Sequence, residues 1–308
     1  MSIIIPARPE EGRVAAVAAA RKLDYPAEKM EIILARGRQP SVQRNAALRA
    51  ARGELIYFLD DDSRPQPQNL RRAFEHFKAP DVKMVGGPNL CPPDAPALQQ
   101  AFSITMGTQL AFASSRSRYR SVGATRATSE KELILCNLLA RRDAVLALGG
   151  FDESLYPNEE NALMDALQRG GGKLIYDPEL IVFRHPRPTL RAFCKMVMTY
   201  GRGRAEQFRV LPTMGSALNF APPLFCVYLL AAPFLPPIMW WPLAFYAAAL
   251  LVQAVAALPI RRIAWTPLIM LLILASHVFY GIGFWRGCFT TLRLPPKDAP
   301  PAVKLERV

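Results

Sequence analysis

From Gln207 to Lys297 the chain carries not one Asp or Glu, and most of that stretch is apolar. A helix that folds in water needs a charged outer face. The segments "ALNFAPPLFCVYLLAAPFL", "IMWWPLAFYAAALLVQAVAALPI" and "WTPLIMLLILASHVFYGIGFW" have none. Each approaches the ~20 residues that cross hydrocarbon, and only Arg261 and Arg262 interrupt them. Trp240, Trp241, Trp265 and Trp285 fall near segment ends, where an interfacial aromatic belt sits. The pattern predicts a membrane domain over 210–290, with apolar segments at 217–235, 238–260 and 265–285.

The first 209 residues have a different character. "SIII", "EIILA" and "ELIYFL" are short apolar runs, separated by "EEGRVAAVAAARKL" and "SVQRNAALRAAR", which have helical composition. "SRPQPQNLRRAFEHF" and "VKMVGG" continue the alternation. Strands spaced by helices of this length make parallel βαβ units, in which ligands bind at the carboxyl ends of the strands. The expected fold class is therefore α/β, with a Rossmann-like, mostly parallel sheet followed by a transmembrane helical domain. "MSIIIPARPEEG" lacks the basic leader and the long apolar run of a signal peptide, so the first domain is expected in the cytosol.

One strand ends abruptly in charge. "ELIYFL" runs into Asp60, Asp61 and Asp62 at a position where a parallel sheet binds ligands. These acids have two readings: caps for the helix that follows, or ligands for a hard cation. Mg²⁺ or Mn²⁺ suits oxygen ligands and commonly joins one or two carboxylates to substrate phosphates. The 38 Lys+Arg outnumber the 25 Asp+Glu, which suggests an anionic partner. Because the basic run over 184–209 adjoins the apolar segments, membrane headgroups and phosphate-bearing substrates fit that partner better than nucleic acid. Five scattered cysteines without a CxxC pair, and three dispersed histidines, argue against disulfides and a zinc centre.

Four motifs in order, "SIIIPARPEEGR", "RNAALRAARGELIYFLDDDSRP", "ARRDAVLALGGFDESLYPNEEN" and "YGRGRA", resemble family 2 glycosyltransferases of the GT-A fold. The likeness is to membrane-attached members that build bacterial polysaccharides, the succinoglycan type among them. It implies a nucleotide-sugar donor and a polyprenyl diphosphate-linked acceptor, with the catalytic domain on the cytoplasmic face of the inner (plasma) membrane. Asp60 and Asp62 would form the metal-binding element, Asp62 as the direct ligand and Asp60 also facing the donor's ribose, with Asp61 between them in the donor site. The acidic pair Glu159–Glu160 would supply the base that deprotonates the acceptor, and leucine spacing puts Glu160 in that place. The rival reading of the pair is two solvated acids at a helix start.

Pro6, Arg8, Glu10, Arg36, Arg44 and Asn45 would line the donor, with Arg8 standing where relatives often have an aromatic. "EIILARGRQPSVQRN" lacks the acid that relatives carry after the second strand, leaving Arg36, Arg38 or Gln39 as substitutes. Arg202 and Arg204 in "YGRGRA" are the candidates for phosphate, because two glycines let backbone approach a ligand and a guanidinium fork matches phosphate oxygens. The loop "SSRSRYRSVGATRATSEKE" is expected to be a mobile acceptor flap. His277, inside the third apolar segment, is either functional or a neutral imidazole bonded to a neighbouring helix.

Two other functions are kept open: a polyprenyl-phosphate glycosyltransferase, whose nucleophile needs no base, and a nucleotide-binding scaffold or transporter component. Three spans with almost no intramembrane charge make a poor translocation path. The Pro-rich end, 291–308, reads as a flexible tail. Three full crossings place that tail on the far side of the membrane, although the five cations against two acids from Arg286 onward favour the near side.

Overall fold

The computed structural model describes residues 1–155, 158–210, 214–291 and 302–308. In chain order the first elements are β1 (Ser2–Ala7), α1 (Ala15–Ala20), β2 (Glu31–Arg36), α2 (Pro40–Ala50), β3 (Leu55–Leu59), β4 (Arg64–Pro65), α3 (Asn69–Phe77), β5 (Val82–Gly86) and β6 (Asn89–Leu90). Then come α4 (Ala97–Met106), α5 (Gln109–Phe112), β7 (Arg126–Thr128), β8 (Asn137–Arg141), α6 (Arg142–Ala147), α7 (Glu159–Arg169), β9 (Lys173–Tyr176) and β10 (Val182–Phe183). The chain continues through α8 (Leu190–Val210), α9 (Ala221–Ala231), α10 (Trp241–Ala257), α11 (Thr266–Phe289) and β11 (Lys304–Arg307). Two compact units result. One contains residues 1–92, 117–185 and the described end 302–308; the other contains 93–116 and the described part of 186–291. The first unit thus closes at His185 rather than at 209, because α8 packs on α11.

The first unit is an eight-stranded sheet of order β11-β2-β1-β3-β8-β5-β9-β7, with a three-stranded sheet, β4-β10-β6, beside it. Strands β2, β1, β3, β5 and β9 run one way; β8, β7 and β11 run against them. The central strands are buried on both faces, as their unbroken apolar runs require. Side chains alternate between two cores. Ile3, Ile5, Tyr57 and Leu59 join the cluster containing α1 and α3 residues, while Ile4, Ile56 and Phe58 join the one containing α2, α6 and α7 residues. Helix α1 is shorter than its composition suggests. Residues 8–14 form a loop instead, with the Arg8 and Glu11 carbonyls accepting from Arg36.

Two loop expectations change. The 117–132 segment is not a free flap: β7 pairs with β9, and Glu132 accepts from Arg126 (2.7 Å), Ser117 (3.1 Å) and Thr128. The 291–308 tail is not flexible throughout. Residues 292–301 lie outside the described residues, but Lys304–Arg307 pair antiparallel with β2, from Lys304↔Arg36 to Arg307↔Ile33. Arg36 meets Glu306 at 3.1 Å and Arg307 meets Glu31 at 3.2 Å.

In the second unit, three stretches are helical, long and apolar enough to cross a membrane: Ala217–Phe234, Pro237–Ala257 and Ile260–Phe289. Leu224, Leu230, Phe234, Phe245, Val252 and Leu271 point outward from them, as lipid contact demands and water does not. The 11 residues of α9 rise only ~16 Å, about half a hydrocarbon core. Helices α8 and α11 touch backbone to backbone. A Cβ on Gly201 would fall 2.1 Å from the Tyr280 carbonyl oxygen, and one on Gly283 would fall 2.0 Å from that of Met198. Gly201 of "YGRGRA" therefore serves helix packing, the role small residues take between membrane helices, rather than the ligand approach expected of it. Arg202 pairs with Glu206 at 3.4 Å, and Arg204 donates to Gln207 at 3.0 Å. The His277 imidazole is bonded on both sides. Nε2 donates to the Leu110 carbonyl (2.9 Å), which leaves Nδ1 to accept from the Tyr246 hydroxyl (2.7 Å).

A strand cannot pair with β2 across a bilayer. The end of the chain lies on the same side as the sheet, and any complete crossings between His185 and residue 302 are even in number. This overturns the expectation of three crossings with the tail on the far side; the tail's positive charge was the better guide. In a cysteine-free variant, single cysteines at Lys304 and at Glu28 are expected to respond alike to a membrane-impermeant thiol reagent, before and after permeabilisation. Opposite responses would contradict the strand pairing.

Candidate active site

Because β2, β1 and β3 are adjacent and parallel, their carboxyl ends share one edge of the sheet. Pro6 ends up buried within β1, Arg8 and Glu10 in the exposed loop after it, and Arg36 at the end of β2. Asp60–Asp62 follow β3 directly. Their turn is closed by Ser63, which donates its amide to the Asp60 carbonyl (3.1 Å) and accepts the Asp60 amide on Oγ (3.1 Å). Strand β4 follows, and α3 begins only at Asn69, with no acid in its first turn. The aspartates are therefore not helix caps.

Two guanidiniums neutralise the turn. Arg44, whose side chain is 7% exposed on α2, reaches Asp60 Oδ1 with Nη2 (3.0 Å) and Glu159 Oε1 with Nη1 (3.3 Å). Arg184, just past β10, reaches Asp60 Oδ2 with Nη1 (2.9 Å) and Asp62 Oδ1 with Nε (2.5 Å). The result is a continuous chain of alternating charge: Glu159, Arg44, Asp60, Arg184, Asp62. Arg44 is not on a solvated helix face; it is an internal strut between the turn after β3 and α7. Asp61 turns away from this chain toward Glu11. Burial first, then the like charges of Glu11 and Asp60, push its pKa up. Burial does the same for Asp62, against the pull of Arg184.

Asn45 plays a positioning part as well. It donates to the Phe151 carbonyl (2.8 Å) and to Glu153 Oε1 (2.9 Å), and accepts from the Phe151 amide (2.8 Å). This clamps the loop that leads to α7, where Gly150 holds φ +87° and a Cβ would fall 2.4 Å from Asn45 Oδ1. Only glycine fits there.

Glu159 and Glu160 open α7, where negative charge favours the helix N-terminus. They are not equivalent. Glu159 is buried, 2% exposed, with Oε1 on Arg44 and Oε2 without a hydrogen-bond partner. Burial, reinforced by Glu160, pushes its pKa up to about 7, with Arg44 pulling the other way. Glu160 is half-buried, and Asn161 beside it accepts from Arg118 of the 117–132 segment (2.7 Å).

On the β2 side, Arg36 is tied down through two of its nitrogens: Nε to Glu306, Nη1 to the Glu11 carbonyl (2.5 Å) and the Arg8 carbonyl (3.3 Å). Arg38 meets Glu10 at 2.8 Å in the open, and Gln39 donates to the Glu153 carbonyl. Arg202 and Arg204 belong to the second unit, on α8. Arg184, Glu306 and Gln43 escaped the sequence reading. Gln43 donates to the Ala7 and Ala35 carbonyls and so joins the ends of β1 and β2.

Among the described residues no three His, Cys, Asp or Glu side chains converge on one point. A dication at a phosphate site needs fewer, because one or two carboxylates and the substrate's own oxygens complete its shell. Asp60 and Asp62 fit that demand. They are hard oxygen donors close enough to share one guanidinium, and Asp62 remains 46% exposed.

The profile of the family described as "Glycosyl transferase family group 2" matches residues 55–278. The chain belongs to that family. It is 29% identical over 154 residues to the succinoglycan biosynthesis protein ExoA of Rhizobium meliloti, covering 48% of this chain and 46% of that protein. It is 25% identical over 166 residues to the pre-mycofactocin glycosyltransferase of Mycobacterium tuberculosis, covering 54% of this chain and 34% of the relative. The matches thus span less than half the length of these relatives. Among solved structures, the mannosyltransferase PcManGT of Pyrobaculum calidifontis, in complex with GDP-Man and Mn²⁺, superposes with a TM-score of 0.56 at 16% identity. The superposition covers 90% of this chain and 85% of that one, and it shows the GT-A fold.

The burial of Glu159 has a pH signature. A carboxyl with a folded pKa near 7 and an unfolded value near 4.5 favours the folded state below about pH 4.5, and that contribution is lost as pH rises toward 7. Relative to Glu159→Gln, the wild-type protein is expected to lose stability between about pH 5 and pH 7 in denaturant titrations. A constant difference across that range would mean that Glu159 is ionised throughout.

Proposed function

We propose that this family member transfers a sugar from a nucleotide-sugar to a hydroxyl group of a lipid-linked acceptor, with inversion, at a membrane surface during polysaccharide or glycoconjugate synthesis. The observation that carries this reading is the charge chain itself. It joins a pair of exposed-edge carboxylates suited to a diphosphate-bound dication to the acidic pair on α7, along the sheet edge where parallel folds bind ligands. The Mn²⁺ and GDP-mannose named with the structural relative support the donor class and the metal. The outward-facing apolar helices support a lipid-borne acceptor and residence in the inner membrane with the sheet facing the cytosol.

Each residue has a task in this reading. Asp62, with Asp60, would hold Mg²⁺ or Mn²⁺ at the donor diphosphate. The cation supplies Lewis-acid compensation for the charge that gathers on the departing nucleoside diphosphate. Arg44 fixes Asp60 and Glu159 in one frame. Glu160, more accessible than the Arg44-bound Glu159, takes the proton of the acceptor hydroxyl as that oxygen attacks the anomeric carbon. The bond from that carbon to the diphosphate breaks, its electron pair leaves with the phosphate oxygen, and the anomeric configuration inverts. Pro6, Arg8 and Glu10 border the nucleoside end. Arg202 and Arg204, in the second unit, are candidates for binding a phosphate group of the acceptor.

Asp62→Asn is expected to reduce nucleotide release by at least about a hundredfold while the protein stays folded, and a chelator should reproduce the loss. Glu160→Gln should keep nucleotide affinity and lose about 10²–10⁴-fold in turnover. Full activity of Asp62→Asn would remove the metal role. A crippled Glu159→Gln beside an active Glu160→Gln would move the base by one residue. Indifference to both glutamates would favour transfer to polyprenyl phosphate, whose nucleophile needs no base.

A further inference from the structure

We propose that Arg184 is a displaceable stand-in for the divalent cation: it holds Asp60 and Asp62 together before the donor arrives, then transfers to the donor diphosphate as the metal takes its place. The proposal rests on the metal-and-donor reading above and adds to it an order of events. Its basis is geometric. The guanidinium bridges Asp60 Oδ2 and Asp62 Oδ1, on the two carboxylates that would hold the dication, at 2.9 and 2.5 Å. A full-strength cation cannot occupy that bridge while Arg184 does.

The backbone of Arg184 is fixed by contacts that its side chain does not share. Its amide donates to the Leu90 carbonyl (2.9 Å), and Phe183 before it pairs with Arg64 in the small sheet. That sheet is tied to β3 through Asn137 and Asn69. Asn137 donates to the Leu180 carbonyl (2.6 Å), and Asn69 to the Ile181 carbonyl (2.8 Å) and the Tyr57 hydroxyl (3.1 Å). The long side chain can therefore release its head group without moving the strand. Arg44 keeps its own bond to Asp60 Oδ1, so the acceptor geometry survives the exchange.

Charge supports the same order. A dication arriving alone would add two positive charges beside the Arg184 guanidinium, whereas a dication with the two negative charges of a sugar nucleoside diphosphate adds no net charge. A phosphate pair is also a good new partner for a guanidinium fork, with charge-assisted bonds like those it leaves. Metal alone should thus bind weakly, and metal with nucleotide strongly. The functional consequence is that Arg184 couples the two ligands and keeps stray cations out of a site that holds no donor.

The test is Mn²⁺ binding to the full chain in detergent, followed by the loss of the free-ion paramagnetic resonance signal, with and without a nucleoside diphosphate. Without nucleotide, Arg184→Gln is expected to bind Mn²⁺ at least about tenfold tighter than wild type, because a like charge a few ångströms away has been removed. Adding UDP or GDP, whichever binds, should strengthen Mn²⁺ binding more in wild type than in the variant. Arg184→Lys, which keeps a charge but not the fork, should fall between them, and it carries the comparison if the glutamine variant does not fold. Unchanged or weaker Mn²⁺ affinity in nucleotide-free variants would overturn the proposal and leave Arg184 as a strut. If wild type binds the nucleotide but takes up no Mn²⁺ under any condition, the metal reading fails and the proposal with it. That outcome is distinguishable because nucleotide binding is measured separately.

Discussion

Carboxylates gathered at one edge of a sheet are unstable neighbours unless something answers their charge, and in this protein the answer is two arginines. Arg44 and Arg184 convert Glu159, Asp60 and Asp62 from a repelling set into an alternating chain. Removing either cation would leave a buried or half-buried acid uncompensated, which is more costly than never having built the pair. Much of the first unit can be understood as what holds those two cations in place. Helix α2 starts at Pro40 so that Arg44 and Asn45 face inward, one toward the turn after β3 and the other toward the loop before α7. The small sheet exists at the point where Arg184 has to enter.

The parts of the fold set by local pattern were legible in the chain. Unbroken apolar runs gave β1, β2, β3 and β5, and their alternation with helices gave the parallel core. The three acids after "ELIYFL" announced a site, because no core strand gains from ending in charge. What stayed hidden was partner choice across long separations. Arg184 lies 122 residues from Asp62, and Glu306 lies 270 from Arg36. In sequence Arg184 is one cation in a basic run, indistinguishable from neighbours that face solvent. "KLER" has neither the alternation nor the β-branched residues of a strand, and only the edge of β2 makes it one. Glycines misled for a related reason. Close approach was the right inference for "YGRGRA", but for Gly201 the approaching group is the backbone of α11 rather than a ligand.

The second unit is apolar enough to span a membrane. Its apolar helices turn side chains outward, its tightest seam is made by glycines, and His277 has both ring nitrogens bonded. These are the solutions expected where backbone and imidazole cannot turn to water. The return of the chain to β2 constrains this unit as strongly as its composition does. A segment that leaves the sheet at His185 and comes back to the same sheet at Lys304 must recross whatever it crosses. The 11-residue α9 is the element least able to span alone.

The most direct test of the account is a crystal structure of the full chain with Mn²⁺ and the nucleoside diphosphate that binds it best, with manganese located by its anomalous signal. The account predicts a peak about 2.1 Å from an Asp62 oxygen and in contact with the diphosphate, beyond the carboxyl ends of β1 and β3, with the Arg184 guanidinium turned from the Asp60–Asp62 pair onto phosphate. A nucleotide seated away from that edge, or one bound there with Arg184 still bridging both aspartates and no manganese beside them, would contradict it.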